Sequence, residues 1–332
     1  MTTKEWSLSG TIEEDKSYEC LNKLDEYLQE HFDTLMDKFM DQFQHYCDKI
    51  IRFQEAGRKN PIGYIHFSIL RTNITEKRHA IRMDAYDASW YEDRTECRDE
   101  YEVTEFYTLL DEFIKTIEHE RKGTSDSGGL REIQRALFTE SNKYHLVIAE
   151  LIRAGLKKAS ETKWFQAIKR DALFVICFGD YHDQADILYK EDTTDKDPKE
   201  IKEHLEAKYQ PAYTHEINKN LDLSGGDYEG INLLFSDFTG CDFSNSRLNQ
   251  ATILYSDFRQ TVLKDTNLEN TQIIDTDFSG AILENIDFKG ASLKYLTFAN
   301  AKLINVKFEG AVLTEKLNFD QAELTDTQIP KN

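Results

Sequence analysis

Residues 221–310 read LDLSG GDYEG INLLF SDFTG CDFSN SRLNQ ATILY SDFRQ TVLKD TNLEN TQIID TDFSG AILEN IDFKG ASLKY LTFAN AKLIN VKFEG. The third residue of every block is apolar, from Leu223 and Tyr228 to Leu303 and Phe308, and Leu313 continues the row. Two places before it stands something small more often than not, such as Ser236, Ser246, Ala251, Thr261, Thr271, Ala281, Ala291 or Ala301. The row also sorts by twenties. Phe238, Phe258, Phe278 and Phe298 form one column, which Phe319 continues after a one-residue insertion near 314–317. Phe243, Leu263, Leu283, Leu303 and then Leu324 form a second. Tyr228 to Phe308 and Leu233 to Leu313 give the other two. A strict internal period dictates a stacked architecture in which each unit buries its neighbour.

The blocks SDFTG, TDFSG, IDFKG, ASLKY and AKLIN resemble the motif of the pentapeptide-repeat family, over about the last third of the chain. The resemblance implies a right-handed quadrilateral β-helix, four pentapeptides to a coil. Coils joined by main-chain hydrogen bonds lie about 4.8 Å apart, so five to six give a rod of roughly 25 Å. The insertion then reads as a bulge that keeps later columns in line. The resemblance also implies that the residue before each central one, and the two after it, face outward. The Phe238 and Leu248 columns are followed by polar residues with Gly and Asn, which suit corners with positive φ. The Leu233 column differs, placing Leu234, Phe235, Leu254, Tyr255, Ile274 and Tyr295 on one face. An apolar surface of this kind is expected to be covered, by the N-terminal part of the chain or by another protein. Docking of the tethered part is the favoured reading. One place before the Phe238 column run Asp237, Asp257 and Asp277, an acidic ladder. Family members that protect DNA gyrase act as DNA mimics, and the ladder is a candidate for the same device. Asp or Asn is also simply the family consensus there.

The chain has 332 residues and a net charge of −20, which argues against direct nucleic-acid binding. Residues 221–332 carry 17 acidic and 9 basic residues, and residues 1–220 carry 44 and 32, so the acidity is spread over both parts. Five cysteines without paired spacing point to a reducing compartment, neither a disulfide scaffold nor a zinc site. The first ten residues show no secretory pattern, and no run of eighteen apolar residues occurs. These features lead us to expect a cytoplasmic protein.

Residues 1–190 read as a mostly helical α+β domain of no recognised family. An apolar stripe through Leu24, Met36, Phe39, Phe43 and Ile50 gives one long helix or two over 12–57, ended by Gly57 to Pro61. YIHFSILRT (64–72) and RHAIRMDAY (78–86) suggest a hairpin with a polar turn, placing His66 and His79 to face each other. Residues 87–102 read as a loop entering a helix that runs to Arg121. GTSDSGG (123–129) reads as a flexible break before a helix from Leu130 to about Lys158. ALFVICF (172–178) reads as a strand with ADILYK as its partner. Residues 191–220 read as a linker with a capping helix, Asp197 as N-cap and Pro198 in its first turn, and 221–329 as the repeat rod.

Chemistry is sparse. GDYHDQAD gathers Asp180, His182, Asp183 and Asp186, which could bind a metal or act as an acid–base pair. A polar hairpin turn explains them as well. No phosphate loop, HExxH or GxSxG occurs. The expectation is a protein that is not an enzyme, has no cofactor or metal, and uses its rod to dock a protein partner. The alternatives are a DNA-mimic inhibitor or protector of a DNA-acting enzyme (topoisomerase or phage-defence nuclease) and an enzyme with its site in residues 60–190.

Overall fold

The computed structural model describes residues 3–120, 127–181, 185–315 and 317–329. The chain divides into two compact units, Met1–Glu191 and Asp192–Asn332.

The first unit begins with one uninterrupted helix, α1 (Thr3–Glu55). Leu24, Leu35, Met36, Phe39, Phe43, Tyr46 and Ile50 on its stripe are buried. Gly57, at φ +65, ends it, and the Arg58 amide returns to the Phe53 carbonyl, so the last carbonyls are satisfied where a Cβ would be strained. β1 (Ile62–Ile69), the short α2 (Arg71–Thr75) and β2 (Ala80–Tyr86) follow, then a 3-10 turn (Trp90–Glu92) and β3 (Arg98–Glu102). Next come α3 (Thr104–Glu120), α4 (Ser127–Ala159), α5 (Lys163–Gln166), β4 (Arg170–Asp180) and β5 (Ala185–Asp192). The strands form one sheet in the order β3-β2-β1-β4-β5, with β1 antiparallel to β2 and parallel to β4. Ile65, Phe67 and Ile69 of β1 are buried, and the Phe39 and Phe43 rings of α1 stand 6.4 and 5.9 Å from Phe67.

Three expectations change. The hairpin connection is a helical turn, because Asn73 turns back to donate to the Ala80 carbonyl at 2.9 Å. His66 lies opposite Asp84 and not His79, whose Nε2 is 3.1 Å from Asp111. Residues 98–102 form an edge strand, although the charged sequence RDEYE buries only Tyr101 and reads as loop.

The second unit starts with α6 (Pro198–Ala207), whose first turn is capped by Asp197 accepting from the Lys199 amide at 2.8 Å. Leu205 of α6 is 1% exposed and belongs to the rod's core together with Tyr213 and Leu223, so the helix closes the first coil. The coils begin at Tyr213, twenty places before Leu233 and paired with it, earlier than Leu221. From there successive coils pair in parallel at an offset of twenty: Leu233 with Ile253, Ile273 with Leu293. After the insertion the offset becomes 21, Leu303 pairing with Leu324. The inward residues are closed off almost completely; Phe238, Phe258, Phe298, Leu283 and Leu303 are all at 0%. Burying each such side chain is worth about 1.5–3 kcal/mol. The small residues also point inward, because a larger side chain would meet the next coil. Where they are Ser or Thr, the hydroxyl bonds a nearby carbonyl, as Thr271 does to Leu268 at 2.8 Å.

Candidate interaction surface

The rod turns its corners in two ways. On the Phe238 and Leu248 faces each corner is a tight turn, closed by contacts such as Cys241 N–H to Phe238 C=O at 3.0 Å. The residue at positive φ there is Gly240, Gly280, Gly290, Asn270, Asn300 or Gln260. The Leu233 face is a flat parallel sheet with strands Tyr213–Thr214, Asn232–Leu234, Thr252–Leu254, Gln272–Ile274, Ser292–Lys294 and Val312–Leu313. Its corner also requires positive φ. Here the occupants are His215 (+55), Phe235 (+52), Tyr255 (+53), Asp275 (+48) and Tyr295 (+55). A bulky residue held in this region carries roughly 1 kcal/mol of strain or more. Four of the five corners therefore hold a ring where Gly or Asn would be easier.

The rings form a ladder. His215 and Phe235 stack at 5.3 Å and 12°, and Phe235 and Tyr255 at 5.1 Å and 10°. Asp275 interrupts the row, and Tyr295 resumes it with the Lys294 ammonium 4.8 Å from its ring centre. Beside them Leu234, Leu254 and Ile274 are adjacent in register and partly exposed. Tyr255 and Tyr295 are about half exposed, at 51% and 52%. The six residues singled out in the sequence thus lie on one wall. His215, two coils from Tyr255, was missed; its block reads PAYTH, whose aromatic centre and closing histidine were the available signal.

Asp237, Asp257 and Asp277 are also brought together, as consecutive bridged rungs. Their carboxylates are already engaged. Each accepts the amide two residues on: Thr239 at 2.9 Å, Arg259 at 3.0 Å and Ser279 at 2.7 Å. These are Asx turns that hold the corner. Lys219 pairs with Asp237 at 2.7 Å, and the Arg259 guanidinium pairs with Asp257 at 2.5 Å while lying 4.0 Å from Asp277. Burial would raise the Asp257 pKa, but the hydrogen bonds and charge of Arg259 hold it below the ordinary carboxylate value. The row is a partly neutralised set of turn formers rather than a bare negative stripe.

Residues 231–308 match a family model described as a pentapeptide repeat region. The rod is a pentapeptide-repeat β-solenoid. Solved structures similar to it include a trypsin-treated variant of QnrB1, a plasmid-mediated fluoroquinolone resistance protein. That likeness is 15% identical and covers 35% of this chain and 83% of that one, with a TM-score of 0.27. HetL of the cyanobacterium Nostoc sp., a pentapeptide repeat protein involved in heterocyst differentiation regulation, is 13% identical over 36% of this chain and 70% of its own, TM-score 0.22. A pentapeptide repeat protein of the Arabidopsis thaliana thylakoid lumen is 24% identical over 33% and 68%, TM-score 0.15. No curated protein matches the chain.

In the first unit, His182 and Asp183 lie outside the described residues. Asp180 pairs with Arg71 at 3.0 Å, and Asp186 is exposed. Among the described residues no three His, Cys, Asp or Glu side chains come together as a metal site, and no helix is long and apolar enough to cross a membrane.

Proposed function

We propose that this chain is a non-enzymatic interaction protein whose repeat rod is a rigid docking surface for another polypeptide. The contact would be the Leu233 face, through Leu234, Phe235, Leu254, Tyr255, Ile274 and Tyr295. The observation that carries this reading is the set of rings held at left-handed corners. Such strain persists where something depends on the side chain, and a ring on a fixed scaffold contributes large contact area with little ordering cost. Aromatic residues are also the side chains most enriched among energetically dominant interface positions. Charge mimicry of DNA by Asp237, Asp257 and Asp277 is the weaker reading, since those carboxylates hold corners and share Lys219 and Arg259.

Affinity capture from native lysate, comparing wild type with the Leu254→Asp, Tyr255→Asp double variant, tests the proposal. A partner recovered by wild type and lost by the variant is expected. A DNA-acting enzyme recovered equally by both would transfer the function to the acidic corners. If neither recovers a partner, and small-angle scattering shows the variant's two units moving independently where those of wild type do not, the face is an internal one and the proposal fails.

A further inference from the structure

Two outward columns of the Leu233 face are apolar or aromatic, and each has one exception. Leu234, Leu254 and Ile274 are followed one coil on by Lys294. In the corner column, Asp275 stands between Tyr255 and Tyr295. The exceptions have opposite sign and lie on neighbouring rungs, the Asp275 amide donating to the Lys294 carbonyl at 2.9 Å. The third outward column, Asn232, Thr252, Gln272, Ser292 and Val312, is uncharged. Asp275 and Lys294 are thus the two charges of the face.

They do not neutralise each other. Neither makes an ion pair or a side-chain hydrogen bond among the described residues, although successive rungs lie only about 4.8 Å apart. The Lys294 ammonium lies over the Tyr295 ring. The surface around them is open: Asp275 and Gln272 are exposed, Tyr255 and Tyr295 half exposed, and Val312 57% exposed. Charges within a contact surface fix register and exclude wrong partners more than they add affinity. An occupant matched to this face brings a cation to Asp275 and an anion to Lys294, with uncharged side chains on either side.

We propose that this occupant is a second copy of the chain, with the two rods antiparallel and Asp275 of each opposite Lys294 of the other. This rests on the reading of the Leu233 face as an intermolecular surface, and it names the partner. A closed two-fold contact is isologous, so the patch must complement itself. A two-fold axis parallel to the strands, midway between the rungs of Ile273 and Leu293, meets that condition. It sets each of these rungs over the other in the opposite copy and brings two Asp275–Lys294 pairs within side-chain reach. The rung of Leu254 then lies over that of Val312, and His215 and Phe235 fall beyond the end of the contact. With the rods parallel, each charge would face uncharged side chains. The strands keep a common direction, as in aligned sheet packing. The patch covers four rungs and measures about 20 by 15 Å. This is smaller than the roughly 800 Å² per partner of a standard interface, so the dimer is a weak one, with a Kd on the order of 100 μM.

Sedimentation equilibrium of the full chain between about 10 and 500 μM, bracketing that Kd, tests the proposal. Wild type is expected to form a reversible dimer and nothing larger. Asp275→Lys should weaken it about tenfold or more by setting lysine against Lys294. The direction is diagnostic, because this change makes the net charge of −20 less negative and would strengthen a contact limited by overall repulsion. Lysine already holds positive φ at Lys77 and Lys208, so the corner accepts it, and an unchanged thermal midpoint checks the fold. Lys294→Asp should weaken the dimer as well. Mixed in equal amounts, the two variants should recover wild-type affinity, since the mixed dimer again holds two pairs of opposite charge. A chain that stays monomeric to about 500 μM, a dimer indifferent to Asp275→Lys, or no recovery in the mixture would overturn the proposal. Affinity capture separates this failure from failure of the docking reading. A partner lost there with Leu254→Asp, Tyr255→Asp, from a chain that is itself monomeric, keeps the face intermolecular and gives it to a different protein.

Discussion

In the rod, the residue stacked on Ile253 is Ile273, twenty places along, and the same interval holds in every column until the insertion. In the N-terminal sheet, the residue beside Ile65 on β4 is Ile176, with α2, β2, β3, α3, α4 and α5 between them in sequence. The contrast concerns how each unit acquires its core. A solenoid coil is buried by its neighbours in sequence, so its stability is nearly a sum of local terms. The sheet exists only once β1 and β4 have met, so its parts stand or fall together.

Phe258 and Phe67 make the contrast measurable. Both are fully buried. Phe258 sits between Phe238 at 5.3 Å and Phe278 at 5.5 Å, and Phe67 lies under Phe39 and Phe43. Each Phe→Ala change is expected to cost about 3–5 kcal/mol locally. For Phe67→Ala, hydrogen exchange should quicken throughout β1, β2 and β4 together. For Phe258→Ala it should quicken in the two or three coils around the cavity while the coils near Phe298 keep their protection. Uniform loss across the rod would break the comparison.

The two units should also respond to acid at different points. His145 on α4 is buried, and its Nε2 lies 2.7 Å from the Tyr107 hydroxyl. Burial, only partly opposed by Asp180, lowers its pKa to about 4 from 6.5. Between those values the unfolded chain holds a proton that the native imidazole does not. Stability is therefore complete above about pH 6.5 and falls as pH drops toward 4, by about 3 kcal/mol in all. In the rod, Asp257 has a depressed pKa, so its contribution is present above the ordinary aspartate value and is lost only as pH falls through its lower native one. Acid titration followed by near-ultraviolet circular dichroism and exchange should show the N-terminal unit weakening first. His145→Phe, which removes the proton uptake, should flatten the decline between pH 6.5 and 4; an unchanged slope would assign the sensitivity elsewhere.

The same contrast explains what could be read from the residues. Leu223 to Leu313 state their own contacts, because a fixed interval converts directly into a stacking distance. The six residues of the Leu233 face were legible for that reason. The meaning of their corners was not, since left-handed φ at Phe235 or Tyr255 contradicts residue preference and becomes visible only as a dihedral angle. In the first unit, the alternation in YIHFSI separated Ile65 and Phe67 from His66 and Ser68. Nothing local indicated that Arg82, Asp84 and Gly179 share the side of His66 and Ser68, because registers between distant strands are set by packing. Edge strand β3 was hidden by its charges, which suit an exposed edge as well as a loop.

Glycine marks the smallest predicted difference. Gly155 in α4 is there for space: a Cβ would lie 2.2 Å from Cδ1 of the buried Phe39 ring. Gly155→Ala should gain about 1 kcal/mol of helix propensity and lose about 1–3 kcal/mol to overpacking, for a net loss on the order of 1 kcal/mol. Gly280 in the rod is there for its backbone, at φ +68, and a Cβ would meet nothing closer than Gln260 Cγ at 3.5 Å. Asn300 occupies the same corner one coil on, at φ +57. Gly280→Asn should therefore change stability by no more than about 0.5 kcal/mol. Chemical denaturation of both variants checks the pair. If Gly280→Asn proved as costly as Gly155→Ala, the corners of the rod would be limited by packing as the helix is, and rings at the Leu233 face would be still harder to explain without a partner.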